Sequence, residues 1–347
     1  MFLKIKNRIE NELSGYIRSI DKTYSLSNLS PLLFNSIKEF ISRKGKRIRP
    51  ILFCIGYLGF SKKNAPGLYR SALSLELLHD FMLVHDDIID KSDTRRGRPS
   101  MHATLNNHFK DKKGLKFSGE DLSIAIGDVM YAMALDAFLA VKETPERKDK
   151  ALKKLISAAL YTGSGEFIEL LLGSKRIEEI TKNDIYKIYD YKTANYTFAS
   201  PLTMGALLGG ANENQIKNLF CYGMYLGRAF QIKDDIIGTF GEKSETGKSN
   251  LTDISEAKRT LLIWYAFNHC DKFNKAVIKK VLSGRRAGKN ELLKIRKVIL
   301  ESGSLNYAKN EITRLTREAE CVIRSLKMRQ DCRRALENFT KKILLTK

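Results

Sequence analysis

Apolar residues recur at intervals of three and four positions along most of the 347-residue chain, the pattern of helices with one buried face. Alternating β-branched runs closed by Asn-Gly or Asp-Gly, the usual signs of strands and hairpins, are essentially missing. The six prolines fall near predicted helix starts or in connections, where a missing N–H costs little. The pattern therefore predicts an all-α protein.

Two polar stretches interrupt the helical pattern, at residues 107–120 and 241–252, and both are predicted to be loops. No linker and no repeat period divides the rest, so residues 1–347 are expected to form a single domain. No apolar run approaches the ~18 residues that a membrane-spanning helix needs. The first residues carry charge at once and lack a long apolar core, so no signal peptide is expected and the predicted location is the cytoplasm.

Two acidic clusters stand within apolar helical segments, HDDIID at residues 85–90 and KDDIIG at residues 233–238. Asp86 and Asp90 are four positions apart, so on a helix they share one face. Two carboxylates at that spacing repel each other, and a cation relieves the repulsion; hard oxygen ligands suit Mg²⁺. Two such clusters, with Lys and Arg around both, predict a site for a magnesium-bridged phosphate or diphosphate.

Basic residues flank both clusters where an anionic substrate would need them. The segment GKRIRP at residues 45–50 places three cations at the start of a predicted helix. The segment DTRRG at residues 93–97 follows the first cluster, and planar guanidinium groups match phosphate oxygens bidentately. Further cationic and amide side chains lie on apolar helices or after the second cluster: Lys192, Gln231, Lys248 and Lys258.

The net charge of +22 raises nucleic acid as a partner. In residues 271–347 there are 21 Lys and Arg against 8 Asp and Glu, a net charge of +13. These bases are scattered through amphipathic patterns with few aromatic residues among them, so solvated helix faces are the better interpretation and no nucleic-acid partner is expected. An anionic membrane surface could use the same charge through the basic C-terminal part.

The ordered motifs of residues 45–258 resemble those of the trans-prenyltransferases, the isoprenyl (polyprenyl) diphosphate synthases. The resemblance implies an isoprenoid synthase-type bundle of mostly antiparallel helices around a deep central cavity, usually in a homodimer. It implies that an allylic diphosphate ionises with the help of Mg²⁺, about three ions in this family. The double bond of isopentenyl diphosphate then attacks the allylic cation, and loss of a proton leaves a longer chain.

The resemblance also implies roles for individual residues. The direct magnesium ligands would be Asp86, Asp90 and Asp234, supported by Asp87 and Asp235. The allylic diphosphate would be bound by Arg95, Lys192, Thr193, Gln231, Lys248 and Lys258. Isopentenyl diphosphate would be bound by Lys46, Arg49, His79 and Arg96. The catalytic set would comprise Asp86, Asp90, Arg95, Lys192, Gln231 and Asp234. No side chain is required as base, because the departing diphosphate can take the proton.

Three positions depart from the pattern of the family. Gly238 stands where many relatives carry the third aspartate of the second cluster, which weakens the expectation of a magnesium role at that corner. Ala257 replaces the glycine that usually precedes Lys258. Glu169 replaces a more usual aspartate, and its longer side chain must make different hydrogen bonds.

Product length is expected to depend on the residues just before the first cluster. By resemblance, an aromatic residue five positions before Asp86, here Phe81, with an uninterrupted DDIID cluster marks geranylgeranyl diphosphate (C20) synthases of the archaeal type. A helical wheel places Met82 ~40° from Asp86 but Phe81 ~140° away. The assignment of Phe81 therefore rests on the family, and Met82 or Leu78 can share the role.

Two alternative functions stay open at this point. Within the class, the alternative is a farnesyl diphosphate synthase. A catalytically silent subunit of a heteromeric prenyl synthase would keep the fold and lose key aspartates or cations, whereas nearly all of them are present here.

Overall fold

The structure, a computed structural model, describes residues 1–241, 258–283 and 288–344. These residues are almost entirely helical, which confirms the prediction of an all-α protein. The α-helices are α1 (Phe2–Tyr24), α2 (Leu26–Leu29), α3 (Pro31–Ile41), α4 (Ile48–Phe60), α5 (Leu68–Ile89), α6 (Met101–Phe109), α7 (Gly119–Leu139), α8 (Pro145–Ser174), α9 (Lys182–Ile188), α10 (Ser200–Gly209), α11 (Glu213–Phe240), α12 (Leu261–His269), α13 (Lys272–Leu282), α14 (Lys289–Glu301), α15 (Ser304–Ser325) and α16 (Gln330–Leu344).

The chain forms two compact units, and the expectation of a single domain stays a prediction. The first unit comprises Met1–Leu152 and Met204–Gly210. Its central helix is α5, which packs against α1, α4 and α7 and is buried along most of its length. Helix α1 covers it with a typical amphipathic face, since Ile5, Ile9 and Leu13 repeat every four positions and are all buried.

A two-stranded hairpin follows α5 in the first unit. Strand β1 (Thr94–Arg95) pairs antiparallel with β2 (Arg98–Pro99), with Arg95 opposite Arg98. The connecting residues Arg96 and Gly97 have φ of 55° and 73°, as a two-residue turn between twisted strands requires. The sequence pattern predicted no strands, and two residues per strand are too few for an alternation to show.

The predicted loop at residues 107–120 is shorter in the structure. Helix α6 continues to Phe109, and α7 begins at Gly119. The Ser118 side chain accepts a hydrogen bond from the Asp121 backbone, and the Asp121 carboxylate accepts one from the Ser118 backbone. This capping box fixes the start of α7 within a stretch that composition alone marked as polar loop. The predicted loop at residues 241–252 lies, after Gly241, outside the described residues.

The second unit comprises Lys153–Thr203 and Ala211–Lys347. A short 3₁₀-helix (Ile177–Glu179) precedes α9, and a π-helical segment (Tyr189–Ala199) joins α9 to α10. Helix α11 packs against this π-helical segment and against α15. Gly227 allows α11 to lie close to the π-helical segment, because a Cβ at this position would be only 2.3 Å from the Ala194 Cα.

Two helices are long and apolar enough to span a membrane by length and composition alone, α7 and α8. In the sequence these helices do not stand out as uninterrupted apolar runs, because charged residues such as Asp128 and Asp136 of α7 lie among the apolar ones. Within the most apolar window, 44% of α7 and 28% of α8 is buried inside the protein. Much of the apolar surface of α7 is therefore used for packing, whereas α8 leaves apolar side chains exposed.

The substitution Gly227→Ala should lower the free energy of unfolding by about 1–3 kcal/mol, because its methyl group would force α11 away from the backbone of the π-helical segment. The measurement is urea-induced unfolding followed by circular dichroism. Gly15→Ala is the control, since Gly15 lies inside α1 with no atom within 4 Å of an added Cβ. That change should raise stability by about 0.5–1 kcal/mol. Equal stability of the Gly227 variant and the wild type would contradict the need for close packing.

Candidate active site

The first acidic cluster lies at the C-terminal end of α5. Asp86 and Asp90 are half-buried and lie one turn apart, while Asp87 between them is fully buried. The C-terminus of a helix carries a partial negative charge, so three carboxylates there need a cation nearby. The predicted shared face of Asp86 and Asp90 is thus present on a continuous helix.

Arg95, on strand β1, supplies part of that positive charge. Its Nε donates a hydrogen bond to Asp87 Oδ1 at 2.7 Å, and its Nη2 lies 3.4 Å from Asp86 Oδ2. Burial alone would lower the pKa of Arg95, but the hydrogen bond and charge of Asp87 outweigh it and raise the pKa. The Asp87 carboxylate is therefore paired with Arg95, which suits the supporting role predicted for Asp87.

The three cations of residues 45–50 differ in their accessibility. Lys46 is exposed and Arg49 is half-buried, whereas Arg47 is fully buried. The Arg47 guanidinium donates hydrogen bonds to Glu76 at 2.7 Å and to Glu10 at 3.0 Å. It also donates to two backbone carbonyl oxygens at the end of α3 and just after it. Arg47 therefore fixes the connection between α3 and α4, and Lys46 and Arg49 remain the candidates for binding a substrate.

A second group of buried charged side chains lies nearer the N-terminus of α5, next to His79. Asp80 and Glu76 are both buried, and Arg96 from the hairpin reaches them: its Nη2 lies 3.1 Å from Asp80 Oδ1 and 3.6 Å from Glu76 Oε1. Burial and the neighbouring arginines, Arg49 foremost, hold the pKa of His79 well below its usual range. His79 is therefore a neutral imidazole in a strongly cationic region.

The predicted chain-length residues lie one turn before the cluster. Phe81 packs against His85, with ring centroids 4.6 Å apart, and against Tyr131 of α7 at 5.4 Å. Gly127 of α7 allows this approach, because a Cβ there would meet His85 Nε2 at 2.4 Å. Met82 is half-buried. The sequence pattern did not identify Tyr131, since amphipathicity does not reveal which residue of a neighbouring helix a side chain meets.

In the second unit, Lys192 lies in the π-helical segment between two carboxylates. Its Nζ is 2.5 Å from Glu166 Oε2 and 2.6 Å from Glu169 Oε2. Gly165 brings α8 close, since a Cβ there would lie 3.0 Å from the Lys192 backbone nitrogen. The longer side chain of Glu169, noted as a departure from the family pattern, thus reaches Lys192 directly.

A chain of hydrogen bonds connects the π-helical segment to the second acidic cluster. Thr193 donates to Gln231 at 2.6 Å, and Gln231 donates to Asp235 Oδ1 at 2.9 Å. The Tyr189 hydroxyl donates to the other oxygen of Asp235 and accepts a hydrogen bond from the Leu261 backbone at 2.9 Å. Burial and the charge of Asp235 raise the pKa of Tyr189 well above its usual value. Tyr189 was missed in the sequence, where it resembled an ordinary core aromatic residue.

The remaining predicted residues of this half are less enclosed or lie outside the described residues. Asp234 is exposed, and Lys258 and Gly238 are half-buried. Lys248 and Ala257 lie outside the described residues. The structure thus groups Lys192, Thr193, Gln231 and Asp235 in the second unit, as it groups the first cluster with Arg95 in the first.

The chain is similar to proteins of one family along most of its length. The Polyprenyl synthetase family model matches residues 30–299. The geranylgeranyl diphosphate synthase of Sulfolobus acidocaldarius is 32% identical over 302 residues, which cover 86% of this chain and 86% of the relative. A geranylfarnesyl diphosphate synthase of Aeropyrum pernix is 30% identical over 277 residues, which cover 78% of this chain and 80% of the relative.

A solved structure has the same fold. It is the geranylgeranyl pyrophosphate synthase of Corynebacterium glutamicum complexed with isoprenyl diphosphate and magnesium, with a TM-score of 0.90, 24% identity and 99% of both chains covered. The family match and the Sulfolobus relative confirm the resemblance predicted from the motifs. The chain therefore belongs to the polyprenyl synthetase family, the trans-isoprenyl diphosphate synthases, and is a prenyltransferase.

Proposed function

We propose that the chain condenses isopentenyl diphosphate with allylic diphosphates and releases geranylgeranyl diphosphate as its main product. The observation that carries the proposal is the first acidic cluster: two half-buried carboxylates on one face of α5, backed by Arg95, with Phe81 one turn away. The similarity to geranylgeranyl diphosphate synthases supports the same function.

Magnesium is the cofactor that the family uses, and the residues present fit it. Asp86 and Asp90 offer hard oxygen ligands from one helix face, and a cation there would offset the negative charge at the end of α5. We assign Asp86, Asp90 and Asp234 as direct ligands, with Asp87 and Asp235 in support, for about three ions. When bound, the ions neutralise the diphosphate as it leaves the allylic carbon.

The protein's own cations act on the same leaving group. Arg95, oriented by Asp87, and Lys192, held between two glutamates, are fixed before the substrate arrives, so they need little reorganisation as charge develops. We assign Thr193, Gln231, Lys248 and Lys258 to the same diphosphate. Hydrogen bonds within the Thr193–Gln231–Asp235 chain orient the amide of Gln231.

Isopentenyl diphosphate is assigned to a separate group of side chains in the first unit, namely Lys46, Arg49, His79 and Arg96. Three of these are basic side chains that suit an anionic group, and the neutral His79 can donate one N–H to a phosphate oxygen. The new carbon–carbon bond forms when the double bond of isopentenyl diphosphate attacks the allylic cation. A proton then leaves the adjacent carbon, and the departed diphosphate accepts it.

A C20 product is favoured because the Phe81 ring packs against His85 and Tyr131, which fix its position. The ring can then block further elongation of the prenyl chain. Met82 is assigned a share of this role. Two other products must be distinguished from geranylgeranyl diphosphate. One is the longer geranylfarnesyl diphosphate, because the chain is 30% identical to a synthase of that product. The other is the shorter farnesyl diphosphate.

We further propose that the enzyme acts as a homodimer through the exposed face of α8. Ile156, Leu160, Phe167, Leu170 and Leu171 are 41–66% exposed and recur at intervals of three, four or seven positions. An apolar stripe of this kind can pack against the same stripe of a second copy, because a two-fold symmetric interface brings identical surfaces together.

A cytoplasmic location with peripheral contact to an anionic membrane is proposed for the basic C-terminal part. On α13, Phe273 is 78% exposed and neighbouring lysines such as Lys280 reach solvent. Exposed cations beside an exposed aromatic ring suit the surface of an anionic bilayer, which the long apolar product would also favour.

The purified chain, supplied with Mg²⁺, isopentenyl diphosphate and C5, C10 or C15 allylic diphosphates, should give mainly a C20 product by mass spectrometry. Phe81→Ala should lengthen that product, because it removes the ring that blocks the chain. Phe273→Ala, which removes an exposed ring, should leave the product length unchanged. An unchanged product from the Phe81 variant would remove Phe81 from the floor of the site, and no product from any starter would indicate a silent subunit.

Asp86→Ala should lower turnover by about 10²–10³-fold and leave the fold intact, because it removes stabilisation of the developing diphosphate charge. The measurements are steady-state rates at saturating Mg²⁺ and circular dichroism. Asp111→Ala, at an exposed position in the loop between α6 and α7, is the matched control and should keep full activity. Near-normal turnover of a folded Asp86 variant would contradict the metal assignment.

Leu160→Glu should convert the dimer to monomers, because two copies would bring buried, unpaired carboxylates together. Light scattering coupled to gel filtration measures the mass. Leu3→Glu, at a 77% exposed position on α1, is the control and should leave the mass unchanged. A monomeric wild type, or a Leu160 variant that stays dimeric, would exclude this face as the interface.

A further inference from the structure

Two acidic residues of α5 are buried but have no part in the reaction described above. Glu76 is 3% exposed and Asp80 is fully buried, and the two lie one helical turn apart on the same face. A buried carboxylate is costly unless a hydrogen-bonding cation accompanies it. Their partners therefore indicate what these two acids do.

The partners are two arginines that reach α5 from different segments. Arg47, at the start of α4, donates to Glu76 at 2.7 Å. Arg96, in the hairpin turn, donates from Nη2 to Asp80 at 3.1 Å and lies 3.6 Å from Glu76. Glu76 thus lies between two guanidinium groups. Among the described residues, Asp80 accepts its one direct hydrogen bond from Arg96, so Asp80 governs the position of that side chain.

The Arg96 guanidinium is satisfied only in part. Within the described part of the chain, its Nη1 is buried and has no hydrogen-bond partner, and the same holds for the second oxygen of Asp80. A buried N–H without an acceptor is destabilising, and an oxygen of a bound anion would satisfy it. Arg96 also adopts a left-handed backbone, with φ of 55°, which is unfavourable for a residue with a Cβ.

We propose that Asp80 is a positioning residue for isopentenyl diphosphate: its carboxyl oxygen Oδ1 accepts the hydrogen bond from Nη2 and so fixes one edge of the Arg96 guanidinium, with Nη1 pointing an N–H at the diphosphate. The inference rests on the proposed function, which assigns Arg96 to that substrate. It goes further in naming the buried acid that determines how well the arginine binds.

The charge of Asp80 then affects substrate affinity. Burial and the neighbouring Glu76 raise the pKa of Asp80 to about 8, against the opposing effect of Arg96, Arg47 and Arg49. Below that pH the carboxyl is mostly neutral, and Arg96 keeps its full positive charge for the diphosphate. As the pH rises through about 8, the ionised carboxylate neutralises Arg96 and repels the anion. The affinity for isopentenyl diphosphate should therefore fall with rising pH.

The experiment measures KM for isopentenyl diphosphate and, separately, for farnesyl diphosphate between about pH 7 and about pH 9.5. In the wild type, KM for isopentenyl diphosphate should rise several-fold over this range. Asp80→Asn should remove the rise and bind this substrate more tightly than the wild type at the upper end, because an amide cannot ionise and still accepts from Arg96. KM for farnesyl diphosphate should follow the same course in both proteins.

Two further variants separate positioning from stability. Asp80→Ala should raise KM for isopentenyl diphosphate by at least about tenfold at all pH values, since it leaves Arg96 without its acceptor. Glu10→Gln removes another carboxylate from this network, the partly exposed partner of Arg47, and should keep the wild-type pH profile. A wild-type profile in Asp80→Asn, or equal shifts in both KM values, would overturn the proposal. Asp80→Asn keeps the test valid if Asp80→Ala does not fold.

The outcome can be separated from that of the proposed function. A wild-type chain inactive with every starter would contradict the proposed activity, and isothermal titration with isopentenyl diphosphate would then test Asp80 directly. Tighter binding by Asp80→Asn than by the wild type near pH 9 supports the inference. Equal binding of the two proteins overturns it.

Discussion

The pairing of buried carboxylates with arginines along α5 is the constraint on which the first unit depends. A helix so apolar would ordinarily bury only aliphatic residues, yet it carries Glu76, Asp80 and Asp87 in the interior. Each of them requires a guanidinium, and these come from the start of α4 and from the hairpin. The same ion pairs therefore hold the surrounding segments in place and orient the arginines that we propose for substrate binding, so stability and the proposed binding groups share one set of contacts.

The second unit also contains a buried carboxylate, but its hydrogen-bond donors are mainly neutral side chains. Tyr189 and Gln231 satisfy the buried carboxylate of Asp235, and two glutamates hold the ammonium group of Lys192. Close helix packing at Gly165 and Gly227 makes these short contacts feasible. The two units thus satisfy their buried charges differently, with arginines in the first unit and with neutral donors and a lysine between two glutamates in the second.

The sequence was sufficient for whatever depends on spacing within one element. The helical class, the shared face of Asp86 and Asp90 and the adjacency of Arg95 to the first cluster all follow from periodicity or short separation. It was insufficient where burial depends on contacts between distant segments. Arg47 appears equivalent to Lys46 and Arg49 in the sequence, and only the packing against Glu10 and Glu76 shows that it is structural. Tyr189 and Tyr131 were missed for the same reason.

The left-handed backbone of Arg96 has a consequence for the engineering of this protein. A glycine or asparagine at that turn position would relieve conformational strain. It would also remove the guanidinium that lies beside the buried carboxyl groups of Glu76 and Asp80, and a buried carboxylate that loses its partner is strongly destabilising. Engineering for heat resistance should therefore keep arginine at this position, although its backbone conformation alone favours glycine.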